Sequence, residues 1–454
     1  MKTAQIAFNL PLGHYQRACL AGLALETFGT ETGAPASRHD RKTEHLLQAG
    51  NITIETVAAA QSNAEIHQSG SGKALAGFLL SGFLMALLGA ILPAWGYHHD
   101  PPKFAAVGNC FLSLAIGIVA AAKIARPIMA RRGLSFLLVF GCLVSCVSLT
   151  YLALVGPPWA EWWRVAGLLV LGTGAGVVNL ALFHAIGRGY QADSAGTVNR
   201  GGIWYGLGCL VATLLVAGTF YAYTVPSILI FMAAVPGVFA VLYSRSSFAV
   251  TPEVAQPTLR QAFEDFRSPG ALLFALLLFI QFGNEWSIAG WLPIFLYRRV
   301  GMSPPNALLI LALYWLCLLT GRLVAVAILP RVSHGRLLMG SVLAALFGCL
   351  ILFNTDPDHT FNAATGVVFL GAGYASIYPL VAEAIGRRFP YYHPGFFNGI
   401  FSLALVGGLI APATLGYAAA AWGVGVVIGI PLIGTFMVMA LLPLIWLESK
   451  VTGR

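Results

Sequence analysis

Long apolar runs alternate with short polar segments along most of this chain. Each run holds about 20 predominantly hydrophobic residues, which as a helix would cross the hydrocarbon core of a bilayer. The pattern predicts twelve spans, at 74–96, 104–122, 134–155, 165–186, 202–222, 226–244, 270–296, 304–328, 335–353, 362–384, 395–419 and 424–446. We therefore expect an all-α integral membrane protein with twelve transmembrane helices.

Composition points the same way. Hydrophobic residues make up 58% of the chain and charged residues 9%, whereas a typical soluble domain carries about 25% charged residues. So much apolar sequence could not be buried in one water-soluble core. The lipid bilayer is thus the first expected partner.

The placement of the positive charges predicts an orientation. The formal net charge is +9. With the N-terminus inside and the spans alternating, the inside segments beyond the N-terminal tail hold 15 Lys and Arg residues and the outside segments hold 4. Basic residues favour the cytoplasmic side, so we expect both termini in the cytoplasm and the protein in an inner or plasma membrane. This reading explains the positive charge without a nucleic-acid partner.

The chain contains an internal repeat. Gly167–Arg188 and Gly366–Arg387 share eight of 22 residues at a constant offset of 199. Such a repeat predicts two parallel six-helix halves. The expected domains are a disordered cytoplasmic tail at 1–73, a first bundle at 74–244, a linker at 245–269, a second bundle at 270–447 and a cytoplasmic C-terminus at 448–454.

Several short motifs carry a resemblance to a known family. They are GAILPAW at 89–95, NEWSIAGWLP at 284–293, IYPL at 377–380 and RRFP at 387–390. They resemble the fucose–proton symporter branch of the major facilitator superfamily and its glucose-transporting relatives. The resemblance implies alternating access and cation-coupled uptake, with H⁺ or Na⁺, of a sugar or similar small polar solute.

The chain departs from this family at two places. The segment 122–133 between the second and third spans has bases but lacks the aspartate usual there, and the fourth span has Asn179 where sugar–proton relatives can carry a carboxylate. If the carrier runs on protons, Glu285 is the remaining candidate for the coupling residue.

Glu285 lies near the middle of the apolar run 271–296. A charged carboxylate at the bilayer centre costs about 2.5 kcal/mol or more, so intramembrane acids usually face a cavity. Gln281 lies one helical turn away on the same face, with Asn284 beside it. We predict that these residues bind the solute, with Trp291 available to stack on it. The alternative is a structural carboxylate that contacts a neighbouring helix.

Other polar and aromatic residues in the spans are weaker candidates for solute contact. They are Asn109, Asn179, Tyr314, Tyr374 and Tyr378. Amides between helices also stabilise packing by bonding to each other, and aromatic side chains in such helices mostly pack. Both alternatives stay open.

Charged residues near the expected inner ends of the helices are candidate gates. His184 and Glu383 occupy equivalent places in the repeat, each four residues before an arginine, Arg188 and Arg387. Arg322 belongs to the same group. The alternative is anchoring at the membrane interface.

Two other functions remain possible: a proton-antiport exporter of a drug or hydrophobic metabolite, and a non-transporting receptor that signals through its tail. No catalytic, nucleotide-binding or metal-ligand motif supports an enzyme. We expect no cofactor, no metal site and a monomer.

Overall fold

The computed structural model describes residues 72–97, 102–156, 159–192, 194–246, 248, 266, 268–389 and 399–452, without the side chains of 188–195. Residues 1–71 of the expected N-terminal tail and most of the expected linker lie outside the described residues. So do His98–Asp100.

The described residues form helices and no strand. In chain order they are α1 Gly72–Ile91, α2 Phe104–Leu154, α3 Glu161–Ala192, α4 Ser194–Thr219, α5 Val225–Ser244, α6 Pro269–Phe295, α7 Pro304–Ile328, α8 His334–Phe353, α9 Thr360–Arg388, α10 Gly399–Trp422 and α11 Val426–Thr452. A single wider turn, Leu296–Val300, extends α6. All eleven helices in this part of the chain are long and apolar enough to cross a membrane.

Helix α2 contains two of the predicted spans. It is 51 residues long and is interrupted at Gly133, whose φ of 80° and ψ of 175° are not helical. A residue with a Cβ rarely adopts this φ, so glycine allows the chain to turn back here. The twelve predicted spans therefore fit into eleven helices. The segment 122–133 between the second and third predicted spans is helical up to Gly133.

The internal repeat recurs in the packing. Three glycines of the first half and their three counterparts in the second half lie so close to a neighbouring helix that an added Cβ would overlap it. The residues that they contact are also counterparts of each other in the repeat. The pairs are Gly167 on Leu152 with Gly366 on Leu352, Gly172 on Leu114 with Gly371 on Tyr314, and Gly208 on Leu79 with Gly407 on Phe279. Small residues let membrane helices approach closely. The two halves are thus repeats of one bundle.

Two of the contacts between the halves position the site. The first, the Trp291 junction, joins α2 to α10 where Gly108 faces Gly416, and continues to α6, where Trp291 stacks on Phe111. The second, the Arg322 junction, joins α4 to α7 at Gly202 and Arg322. The two lie towards opposite ends of the bundle, because α7 runs from residue 304 near the Trp291 junction to residue 328 at the other end.

Candidate functional site

Glu285 and Arg322 form a buried ion pair inside the bundle. Glu285 in α6 is 8% exposed and Arg322 in α7 is 7% exposed. The distance from Arg322 Nη2 to Glu285 Oε1 is 3.9 Å, which is too long for a hydrogen bond. Two opposite charges in one apolar bundle attract strongly and lower the cost of burying each other. The contact is close enough for attraction yet leaves both groups incompletely bonded.

Arg322 also crosses from one half to the other. Its Nη1 donates a hydrogen bond of 2.7 Å to the backbone carbonyl oxygen of Gly202 in α4. A Cβ on Gly202 would overlap that nitrogen, so glycine is what allows the guanidinium to reach the carbonyl. Among the described residues, Arg322 Nε has no hydrogen-bond partner. One side chain therefore ties the acid of the second half to the backbone of the first.

Tyrosines from three helices surround this pair. Tyr205 in α4, Tyr314 in α7 and Tyr378 in α9 all interact electrostatically with both Glu285 and Arg322. The Tyr314 hydroxyl is buried and has no partner within the described residues. Phenol hydroxyls both donate and accept hydrogen bonds, so the surroundings of the ion pair are polar without carrying further charge.

Gln281 lies one turn from Glu285 on α6. It is fully buried, and neither its amide oxygen nor its amide nitrogen has a partner in the described part of the chain. A buried, unpaired amide costs about 1–3 kcal/mol in proteins. Gln281 therefore holds unused hydrogen-bonding capacity next to the charged pair.

Asn284 and Tyr374 belong to a different cluster, although Asn284 is adjacent in sequence to Glu285. The Asn284 amide nitrogen donates to Thr435 Oγ1 at 3.4 Å, and the Tyr374 hydroxyl lies 3.0 Å from the same oxygen. Consecutive residues differ by about 100° around a helix, so Asn284 faces α11 while Glu285 faces α7. These contacts, all within the second half, favour the interhelical interpretation.

Trp291 and Asn109 lie at the Trp291 junction. The Trp291 indole nitrogen donates to the Pro412 carbonyl oxygen at 2.9 Å, and its ring stacks on Phe111 with centroids 6.1 Å apart. The exposed Asn109 accepts a bond of 2.6 Å from the Tyr417 hydroxyl. The structure therefore does not bring these two residues to Glu285.

Asn179 lies on α3 and accepts a hydrogen bond of 3.1 Å from Ser81 Oγ on α1. It is partly exposed. With the offset of 199, its counterpart in the second half is Tyr378. The two positions are thus related by the repeat, and the structure brings Tyr378 to the charged pair.

The predicted gate residues of the second half contact each other. Glu383 pairs with Arg387 one turn away on α9, and His334 Nε2 on α8 lies 3.1 Å from Glu383 Oε2 and 3.2 Å from an Arg387 nitrogen. These contacts lie within one half and do not bridge the two. His184 also makes a polar or ring contact, and the Arg188 side chain lies outside the described residues.

Sequence reasoning grouped Arg322 with the gates and missed its contacts with Glu285 and Gly202. A signal for the first contact was present, since Glu285 and Arg322 are opposite charges inside neighbouring apolar runs. The carbonyl of Gly202 gave no signal, because a backbone acceptor is the same at every position.

The fold and this site define the class of the protein: a secondary membrane transporter whose two repeats meet around a buried charged pair. The sequence model of the Major Facilitator Superfamily matches residues 201–413. The match covers just under half of the chain and confirms the predicted resemblance to this superfamily.

Two relatives show the range of this similarity. An uncharacterized MFS-type transporter of Yersinia pestis is 24% identical over 366 residues, which cover 75% of this chain and 87% of the relative. The cis,cis-muconate transport protein of Acinetobacter baylyi is 25% identical over 279 residues, covering 58% of this chain and 65% of the relative. The chain thus matches just under two thirds of the second relative.

Solved structures share the fold. The D-xylose-proton symporter superimposes with a TM-score of 0.65 at 14% identity, over 82% of this chain and 96% of that protein. The nucleoside transporter NupG gives 0.61 at 13%, over 85% and 99%. FucP, the E. coli fucose:proton symporter, in its outward conformation, gives 0.58 at 15%, over 84% and 99%. At these identities the comparison supports the predicted fold.

Proposed function

We propose that the chain takes up a small polar solute together with a proton, by alternating access of its two repeats. The observation that carries the proposal is the buried Glu285–Arg322 pair, 3.9 Å apart, at a junction between the halves. Orientation follows the positive charges, with both termini cytoplasmic and the Arg322 junction towards the cytoplasm.

The proton binds to Glu285 in this scheme. Protonation removes the carboxylate charge that balances Arg322, and an unbalanced charge in an apolar interior is expensive. Arg322 then keeps its hydrogen bond to Gly202, but its positive charge is no longer balanced. Binding of another partner to Arg322 is therefore favoured. The charge state of one acid thereby sets the charge balance at the contact between the halves and couples the proton to the next anion that Arg322 binds.

The neighbouring folds include carriers of xylose, fucose and nucleosides, and one relative is a muconate transport protein. These names do not agree on a solute. A neutral sugar is one candidate solute for this chain. The unpaired amide of Gln281, one turn from Glu285, favours it. The wider sugar site predicted from the sequence is less well supported, because Asn284, Trp291 and Tyr374 have bonding partners elsewhere.

The test uses the full-length protein in liposomes with a pH gradient that is alkaline inside. A panel of labelled sugars, nucleosides and carboxylates is offered outside. Wild-type protein accumulates its solute against a concentration gradient, and Glu285→Gln abolishes accumulation while preserving exchange of labelled for unlabelled solute.

The matched control is Glu161→Gln, which makes the same change in an exposed ion pair with Lys103 at the other end of the bundle. It should accumulate solute like the wild type. Gradient-driven accumulation by Glu285→Gln at the wild-type level would rule out Glu285 as the proton site.

A further inference from the structure

Arg322 presents an unfilled donor edge. A guanidinium carries five N–H donors in a planar fork. Its Nη1 is bonded to Gly202, but Nε has no partner among the described residues and Nη2 has only the carboxylate at 3.9 Å. Nε and Nη2 lie on the same edge of the guanidinium, the edge that binds a carboxylate through two parallel hydrogen bonds.

The charges around this edge balance only while Glu285 is ionised. Within the described surroundings of the pair, Arg322 is the single cation and Glu285 the single anion, and the neighbouring tyrosines are neutral. Once Glu285 takes a proton, the site holds one unpaired positive charge. A bound monoanion restores neutrality. A neutral solute leaves the positive charge unpaired, and a dianion such as phosphate gives the site a net negative charge.

Neutral hydrogen-bonding groups complete the surroundings. The Tyr314 hydroxyl and the Gln281 amide are fully buried and have no partners in the described part of the chain. Buried polar groups in native proteins nearly always have partners, so these two groups offer unused hydrogen-bonding capacity beside the half-bonded arginine. They can bind the solute beyond its carboxylate.

We infer that the solute is an organic monocarboxylate, held on the Nε–Nη2 edge of Arg322 after Glu285 has been protonated. The inference rests on the proposed proton coupling and names the substrate class of the same site. One proton and one carboxylate cross together, so each cycle moves no net charge. In the empty site, the ionised Glu285 balances the guanidinium of Arg322. In the loaded site, the guanidinium contacts both the protonated Glu285 and the carboxylate of the solute.

The experiment offers radiolabelled benzoate, lactate and glucose to the full-length protein in liposomes. A pH gradient and a membrane potential are imposed separately. The expected result is accumulation of a carboxylate driven by the pH gradient, with no effect of the potential and no current on a solid-supported membrane. Glucose should not accumulate.

Variants of Arg322 test its contact with the carboxylate. Arg322→Gln should abolish carboxylate uptake, and Arg322→Lys, which keeps the charge but loses the planar fork, should raise KM by about tenfold or more, the equivalent of losing one charge-assisted bond. In case Arg322→Gln fails to fold, binding is also read as ligand-induced stabilisation of wild type and Arg322→Lys in detergent, at acidic and alkaline pH. Carboxylates should stabilise the wild type more at acidic pH.

The outcomes separate this inference from the proposed function. Glucose uptake that generates current, and that Glu285→Gln uncouples, would overturn the carboxylate inference and leave proton coupling intact. Carboxylate uptake that depends on Arg322 but survives Glu285→Gln with full pH-driven accumulation would overturn the proton site instead. If no carboxylate stabilises or enters the wild type, the inference is wrong.

Discussion

The Trp291 junction and the Arg322 junction join the same two repeats by different chemistry. At the first, Trp291 stacks on Phe111, and the Tyr417 hydroxyl donates a hydrogen bond to Asn109 across the halves. At the second, one guanidinium bonds across the halves while it balances a buried carboxylate. A change of protonation leaves the first junction unaltered and changes the second. Under the proposed proton coupling, the Arg322 junction is the end of the carrier that responds to the proton directly.

A buried arginine does not require a carboxylate. Arg164 in α3 is 5% exposed, and its guanidinium lies over the rings of Trp95 and Tyr97 and donates from Nε to the Tyr97 hydroxyl at 3.2 Å. Burial raises the pKa of Tyr97 well above its usual range, so this hydroxyl stays neutral across physiological pH. Arg164 therefore serves as a fixed contact, whereas Arg322 faces a group that can gain and lose charge.

The largest expected effect comes from removing the cation at the Arg322 junction. Arg322→Leu leaves Glu285 without its balancing charge, and breaking a buried pair from one side costs about 3–5 kcal/mol. Thermal unfolding in detergent at neutral pH should show a large fall in melting temperature. The double variant with Glu285→Gln should recover most of it. An equally large fall in the double variant would mean that packing, not charge, dominates this junction.

The next effect concerns the space that Gly202 leaves for the guanidinium. Gly202→Ala places a Cβ against Arg322 Nη1, and such overpacking costs about 1–3 kcal/mol. We expect lower stability and slower solute exchange in liposomes. Gly206→Ala is the control one turn away, where an added Cβ would meet Leu319 at an ordinary 3.7 Å. Similar losses in both variants would show that α4 simply tolerates no added bulk.

At the Trp291 junction the expected change is smaller. Trp291→Phe removes the hydrogen bond to Pro412 but keeps an aromatic ring against Phe111, so the cost should be about 1 kcal/mol. Melting curves should show the same loss at acidic and neutral pH. Trp422→Phe, at a side chain that is 77% exposed, is the control. If the loss of stability in Trp291→Phe grew with pH, the Trp291 junction would depend on protonation, contrary to the expected difference between the two junctions.

The smallest effect is expected at the Lys103–Glu161 pair. Its side chains are 62% and 34% exposed, and exposed pairs contribute roughly 0–1 kcal/mol. Glu161→Gln should leave the melting temperature nearly unchanged, with any difference disappearing as salt is added. A salt-resistant loss would show that this pair, too, stabilises its end of the bundle.

The helices could be predicted from the sequence because about 20 apolar residues in a row have few alternatives in a bilayer. The repeat was readable because glycines at close approaches recur in both halves. The site was predicted only in part. Glu285 and Gln281 stood out as polar residues in an apolar run, but whether Asn284 joins them depends on which helix packs on which face. That is decided by tertiary packing, as is the choice of the Gly202 carbonyl as acceptor.

The contact between α1 and α6 has one further consequence. A Cβ on Gly89 would overlap the carbonyl oxygen of Ala289, and these two residues are each other's counterparts at an offset of 200. The three glycine contacts described above exist in both halves, so after a duplication one copy could change while the other kept its fit. The Gly89–Ala289 contact has no second copy, because its two residues are each other's counterparts in the repeat. A bulkier residue at Gly89 would therefore disturb both copies at once, with no spare contact to compensate.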